Sequence, residues 1–309
     1  MSTSIATGPV SATSVDSLYD ALDTDGIVIV PDAIPSEQLT AMQHAFDSRL
    51  KRLRWNTVDG YFQTEKFRHM VGDVLTLDQG FLDVALHPTI VAILDRYLEA
   101  GYELTEAKGW KSLPTRKEFH GWHGDAWYDQ ATAAQIHREV KLALYLTDVT
   151  SGFFEYYKGS HRQQHPRSVD AKEMVGVPDS KIAKMAGKAG TVFLFDTSGI
   201  HRQSVPILED RKACFYNYHH PAVRIQMEDV QAYRYHPLIL NASFLGGLSP
   251  KQQGMLGFGN KTNFIPAYAT EDAHPRLHDS FSAIYSTQLK FYYATRKIRW
   301  RLARLTGGK

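Results

Sequence analysis

The sequence predicts a mostly β protein, an antiparallel sandwich or barrel with supporting helices, on the strength of two contrasting textures. Before Gly101, apolar residues recur at three- and four-residue steps, the stripe of an amphipathic helix. After Gly101, short alternating segments are separated by turn residues such as Ser151-Gly152, Lys158-Gly159-Ser160, Gly187 and Gly190, mostly with no helical pattern between them. A parallel sheet needs a crossover helix between successive strands, so this texture favours an antiparallel core.

The chain opens with MSTSIATGPVSATSV, read as a flexible leader over residues 1–15, with one elaborated domain expected over 16–309. "DGIVIVPDAI" predicts a β-branched strand from Ile27 to Val30, ended by Pro31 and Asp32. Leu39, Met42, Phe46, Leu50 and Leu53 then mark one helix, and "PTIVAILDRYLEA", Pro88 to Ala100, a second. Three strands follow: "KLALYLT", Lys141 to Thr147, with Leu142, Leu144 and Leu146 on one face; "TVFLFD", Thr191 to Asp196; and "ACFYNY", Ala213 to Tyr218. Beyond Ala222 the pattern is mixed and partly helical. At its end Arg296, Lys297, Arg299, Arg301 and Arg304 surround Ile298, Trp300, Leu302 and Leu305, read as the solvated cationic face of a terminal helix rather than a membrane-surface element.

Composition excludes several classes. A net charge of +2, from 35 Lys+Arg against 33 Asp+Glu, supplies no field of the kind that draws a protein to nucleic acid, and a small near-neutral partner fits better. With one cysteine, Cys214, neither an internal disulfide nor a thiolate metal cluster can form. The first residues lack the basic and apolar regions of a secretory signal, and charges or Pro/Gly interrupt every apolar run before it reaches membrane-spanning length. A soluble, cytoplasmic protein is expected. The oligomeric state is not legible.

The stretch "EFHGWHGDAWYD", Glu118 to Asp129, raises a choice between a metal site and a crowded aromatic segment. In an extended strand residues two apart share a face, so His123 and Asp125 stand side by side, with Trp127, while His120, Trp122 and Gly124 face the other way. A facial iron site needs two imidazoles and one carboxylate. His201, beyond the strand "TVFLFD" and the turn Thr197-Ser198-Gly199, is the best second imidazole. Arg211 opens the next strand on the same face as Ala213, Phe215 and Asn217, and a guanidinium buried there demands a carboxylate.

In order, "DGIVIVPDAI", "WHGD", "LALYLTDVTSGFFEYYKGSHR" and "GTVFLFDTSGIHRQSVPILEDR" resemble the phytanoyl-CoA dioxygenase (PhyH) family of iron(II)- and 2-oxoglutarate-dependent oxygenases, from Asp25 to Tyr218. The resemblance implies a double-stranded β-helix (jelly-roll, cupin-like) core, with His123, Asp125 and His201 as iron ligands and Arg211 as partner of the distal carboxylate of 2-oxoglutarate. It implies that O2 and 2-oxoglutarate are consumed while an unactivated C–H bond is oxidised, by hydroxylation first, with desaturation, epoxidation or ring closure as other outcomes. Halogenation is disfavoured, because related halogenases replace the carboxylate by a small residue and Asp125 is present. Further co-substrate contacts in the family fall near Trp110, Lys111, Gln203 and Ser204, none matched cleanly.

Other features have plainer readings. Lys158-Gly159-Ser160-His161-Arg162 lacks the P-loop pattern and reads as a structural turn. Trp122, Trp127, Tyr128, Tyr145, Phe153 and Tyr216 are core aromatics before they are pocket walls. His120, His219 and His220 read as structural. No basic run surrounds the motif, which points to a small metabolite or a secondary-metabolism intermediate as substrate rather than a coenzyme A ester. The alternatives from other classes are a zinc hydrolase on the same three residues, which would need no buried Arg211, and a non-catalytic jelly-roll binding protein.

Overall fold

β-Branched and alternating segments become the strands of two antiparallel sheets, as shown by a computed structural model that describes residues 12–52, 67–118, 120–126, 128–220, 238–258, 267–269, 287, 290–292, 294–295, 297–299 and 302. Among the described residues the larger sheet has six strands, in the spatial order β1 (Ile27–Val30), β9 (Val192–Asp196), β5 (Val140–Tyr145), β11 (Arg211–His219), β3 (Glu103–Ser112), β2 (Arg68–Val71). The smaller has five, in the order β7 (Ser168–Val169), β4 (Trp122–His123), β10 (His201–Gln203), β6 (Val149–Tyr157), β8 (Ile182–Gly187). The three strands expected between Lys141 and Tyr218 are β5, β9 and β11, each displaced by at most a residue or two at its ends.

Both faces of the larger sheet are covered. Leu142 and Leu144 of β5, Val192 and Leu194 of β9, and Cys214, Tyr216 and Tyr218 of β11 pack with Met42 and Phe46 of α2 (Ser36–Arg52), Phe81 of α3 (Gln79–Ala85) and Ile90, Ile93 and Leu94 of α4 (Pro88–Tyr97). The intervening residues Ala143, Tyr145, Phe193, Phe195 and Ala213 meet Val149, Phe154, Tyr156 and Met185 of the smaller sheet. Burying a Leu or Phe side chain in this way stabilises the fold by about 1.5–3 kcal/mol per residue. Helix α4 carries Pro88 in its first turn, where the missing N–H costs nothing, and Arg96 in its last, where a cation suits the helix dipole.

Helix α1 (Ala12–Asp25) begins inside the stretch expected to be a loose leader, whose first eleven residues lie outside the described set. Leu22, fully buried, ties it to the core. Towards the C-terminus, β12 (Ile239–Asn241) pairs in parallel with β13 (Ala267–Ala269), and α5 (Pro250–Met255) starts on a capping box between Ser249 and Gln252. Of the basic terminal segment, Lys297, Arg299 and Leu302 are described, exposed and helical, whereas Arg296, Trp300, Arg301, Arg304 and Leu305 lie outside the described residues. No described helix is long and apolar enough to cross a membrane.

Candidate metal and co-substrate site

Strand pairing brings the expected ligands together. His123 of β4 and His201 of β10 are direct cross-strand partners, with ring centroids 4.5 Å apart. Strand β4 ends at His123, so Asp125 owes its place to backbone anchors: Gly124 N–H donates to Arg167 O at 2.9 Å, and Asp125 N–H to Thr197 O at 2.8 Å. Gly124 has to be small, since a Cβ there would lie 2.7 Å from His165 Cε1. On the other side, Ser160 Oγ accepts from Ile200 N–H at 2.8 Å and donates to Tyr157 O at 2.6 Å, locking the backbone just before His201. The segment Lys158 to Arg162 is therefore structural, turning at Gly159 with φ +80°.

One ligand atom from each of His123, Asp125 and His201 lies within 4.8 Å of the others. His123 Nε2 is 3.7 Å from Asp125 Oδ1, and His201 Nε2 is 3.7 Å from Oδ2. Each imidazole has its Nδ1 2.8 Å from the carbonyl two residues earlier, Gly121 or Gly199, which fixes Nδ1 as the donor and leaves the Nε2 lone pair facing its partners. Burial, reinforced by His201, pushes the His123 pKa down to about 4, so the ring is neutral near pH 7. Burial opposes the charge on Asp125, but Lys141 and the two imidazoles outweigh it and hold the carboxyl well below its usual range. Two imidazole nitrogens and one carboxylate oxygen, oriented from behind and partly open on one side, fit a divalent first-row metal.

These residues open onto a cavity of about 490 Å3. Arg211 lines it and is 5 % exposed. Its Nη1 donates to Gly152 O at 2.6 Å and its Nε has no partner; among the described residues no carboxylate pairs with it. Asn217 and Phe215 line the same cavity, as alternation from Arg211 requires. Trp110 and Gln203 also reach it, whereas Lys111 pairs with Asp210 at 2.7 Å and Ser204 Oγ turns to Phe153 O at 3.1 Å.

The expectation for His120 needs correction. It takes no place in the three-residue cluster, but it does not face away: it lines the cavity, its ring 5.5 Å from that of His123. Residues 120 and 121 precede β4, so strand alternation does not govern them. Trp122 does face away, buried with Val169 and Ile200 under Arg202. Tyr145 and Tyr216 are core, and Trp127 lies outside the described residues. The aromatic walls are instead Trp110, Phe154, Phe195 and Phe215. Sequence reasoning also missed Lys141, whose Nζ donates to Asp125 Oδ2 at 2.6 Å. A lysine facing away from Leu142 and Leu144 in a strand buried on both faces was the available signal.

The phytanoyl-CoA dioxygenase (PhyH) family profile matches residues 22–204, more than half of the chain. The chain belongs to this family. It is therefore an oxidoreductase of the iron(II)- and 2-oxoglutarate-dependent type, using Fe(II), 2-oxoglutarate and O2. Solved structures share its double-stranded β-helix fold at low identity. EctD from S. alaskensis, with 2-oxoglutarate and 5-hydroxyectoine, is 19% identical over 72% of this chain and 80% of that one, with a TM-score of 0.56. HygX from Streptomyces hygroscopicus, with nickel and 2-oxoglutarate bound, is 17% identical over 68% of this chain and 88% of that one, with a TM-score of 0.51. No curated protein sequence matches the chain.

Proposed function

We propose that this PhyH-family dioxygenase holds Fe(II) through His123, Asp125 and His201, binds the distal carboxylate of 2-oxoglutarate at Arg211, and hydroxylates an unactivated C–H bond of a small metabolite. The observation that carries the assignment is a buried guanidinium with no carboxylate partner among the described residues, in the cavity that the two imidazoles and Asp125 face. Such a group is stable only if an anion completes it, and its planar fork suits a carboxylate. A zinc hydrolase would leave Arg211 without a purpose. When bound, the iron and its co-substrate supply the oxidising power for the C–H bond. The chain's part is to orient: the Gly121 and Gly199 carbonyls fix the imidazoles, Lys141 steadies Asp125, and Phe154, Phe195 and Phe215 keep water from the cavity wall. A small-molecule substrate and a hydroxylated product accord with the 5-hydroxyectoine in the EctD structure. We place the enzyme in the cytoplasm, acting as one domain over residues 16–309, with a role in secondary metabolism.

Anaerobic addition of Fe(II) and 2-oxoglutarate tests the site. A visible charge-transfer band is expected, and Arg211→Ala should raise the Kd for 2-oxoglutarate about ten- to hundredfold, the loss of a charge-assisted pair, with Fe(II) binding retained. Absence of the band, or unchanged 2-oxoglutarate affinity in the variant, would sink the assignment.

A further inference from the structure

Cations scattered along the sequence gather at the cavity: Arg68, Lys108, Lys141, Arg167, Arg202 and Arg211 line it, against the carboxylates of Glu106 and Asp125. Most of this charge has an assignment. Lys141 holds Asp125 at 2.6 Å, Lys108 pairs with Glu106, and Arg202 Nε donates to Glu155 Oε2 at 2.8 Å. In the reading above, Arg211 is taken by the distal carboxylate of 2-oxoglutarate, and the other carboxylate faces the metal. Arg68 stacks its guanidinium 3.9 Å above the Trp110 ring.

Arg167 stands apart. Among the described residues its nearest carboxylate oxygen is Asp125 Oδ1 at 3.7 Å, beyond hydrogen-bond length. Its Nη1 donates only weakly, to Ala126 O at 3.3 Å. Its own carbonyl receives Gly124 N–H, so the residue sits alongside the turn that carries Asp125. With its side chain 47% exposed, the guanidinium borders both the cavity and solvent.

Two neutral groups add to the demand. Asn217 is 1% exposed, lies in register between Lys141 and Glu106, and has no partner for either amide atom. Gln203 Nε2, also on the cavity, has none. A buried carboxamide is costly unless something completes it, and an apolar chain would not.

We infer that the substrate is a polar anion, bearing a carboxylate or a phosphate- or sulfate-like group, whose charge Arg167 binds beside the metal site while Asn217 hydrogen-bonds its body. The inference rests on the iron and 2-oxoglutarate reading of the site. It makes Arg167 and Asn217 specificity residues and rules out a neutral lipid tail at this depth of the cavity.

The test uses the full chain, loaded anaerobically with Fe(II) and saturating 2-oxoglutarate and titrated at constant ionic strength with acetate, sulfate and the neutral isostere acetamide. Calorimetry and the charge-transfer band are read together. Acetate or sulfate should bind with the band retained but shifted, and acetamide should not bind; the responding anion tells a planar from a tetrahedral group. Arg167→Gln should weaken that binding at least tenfold at unchanged 2-oxoglutarate affinity, and Arg167→Lys should keep most of it. No anion binding, equal binding in Arg167→Gln, equal binding of acetamide, or displacement of 2-oxoglutarate by the anion would each overturn the inference. The acetate and acetamide comparison in the unsubstituted protein decides the matter even if Arg167→Gln does not fold. Failure of the band to form before any anion is added would instead strike the iron and 2-oxoglutarate reading.

Discussion

On one side of β11, Cys214, Tyr216 and Tyr218 pack into helices; on the other, Arg211, Phe215 and Asn217 border the cavity. Both sides are buried, yet they treat polar atoms differently. Towards the helices, Tyr218 Oη donates to Ala85 O at 2.7 Å, and the Tyr216 hydroxyl is without a partner among the described residues. Towards the cavity, the Nε of Arg211 and both amide atoms of Asn217 lack one. A core face is finished when the chain folds, whereas a binding face is finished only by what it binds. Three unmet polar atoms towards the cavity against one towards the helices therefore weight the cavity face as the working side.

That contrast can be broken most forcefully at the metal site. Asp125→Gly should lower 2-oxoglutarate-dependent succinate formation by more than about a hundredfold in protein whose fold is intact by circular dichroism, since a ligand matters more than the outer-shell groups that tune it. Leu144→Ala, on the helix-packed face, should do the reverse, costing about 2–5 kcal/mol of stability in chemical denaturation while turnover per folded molecule stays unchanged. Wild-type succinate formation in Asp125→Gly would remove the carboxylate from the iron.

A second test lies at the end of β9, where Asp196 accepts from Tyr97 Oη at 2.8 Å and from Ser198 N–H at 2.8 Å. Burial pushes its pKa up to about 7 despite these donors, with Glu139 adding to the rise. Because the folded pKa exceeds the unfolded one, the folded state holds the extra proton between about pH 4 and 7, and stability falls as pH rises through that window. The contribution is on the order of a few kcal/mol. Denaturation midpoints measured from pH 4 to 8 should show this decline, and Asp196→Asn should flatten it; an equally steep decline in the variant would assign it elsewhere.

The smallest effect is the most diagnostic of a binding face. Asn217→Leu replaces two unmet amide atoms by hydrocarbon of similar size and should raise stability by about 1 kcal/mol while impairing substrate turnover. A destabilised variant would mean that Asn217 is a structural amide after all.

Much of this molecule is legible in its sequence because the signals are local. The alternation that groups Arg211 with Asn217, the helical stripe from Leu39 to Leu50 and the β-branched run at Ile27 each follow from backbone periodicity, which needs no knowledge of distant residues. The spacing of His123 and Asp125 marks the pair, but β4 ends at His123 and backbone bonds to Arg167 and Thr197 place the carboxylate. The ordered family motifs add His201 through resemblance rather than periodicity. What only the tertiary structure decided is where segments meet. His120 turns into the cavity because the chain before β4 is not extended, Lys141 reaches Asp125 across sixteen residues, and Arg68, Lys108 and Arg167 gather from three separate segments. Those contacts depend on sheet order and on backbone bonds such as Gly124 to Arg167, and no period in the sequence encodes which strand will lie beside which.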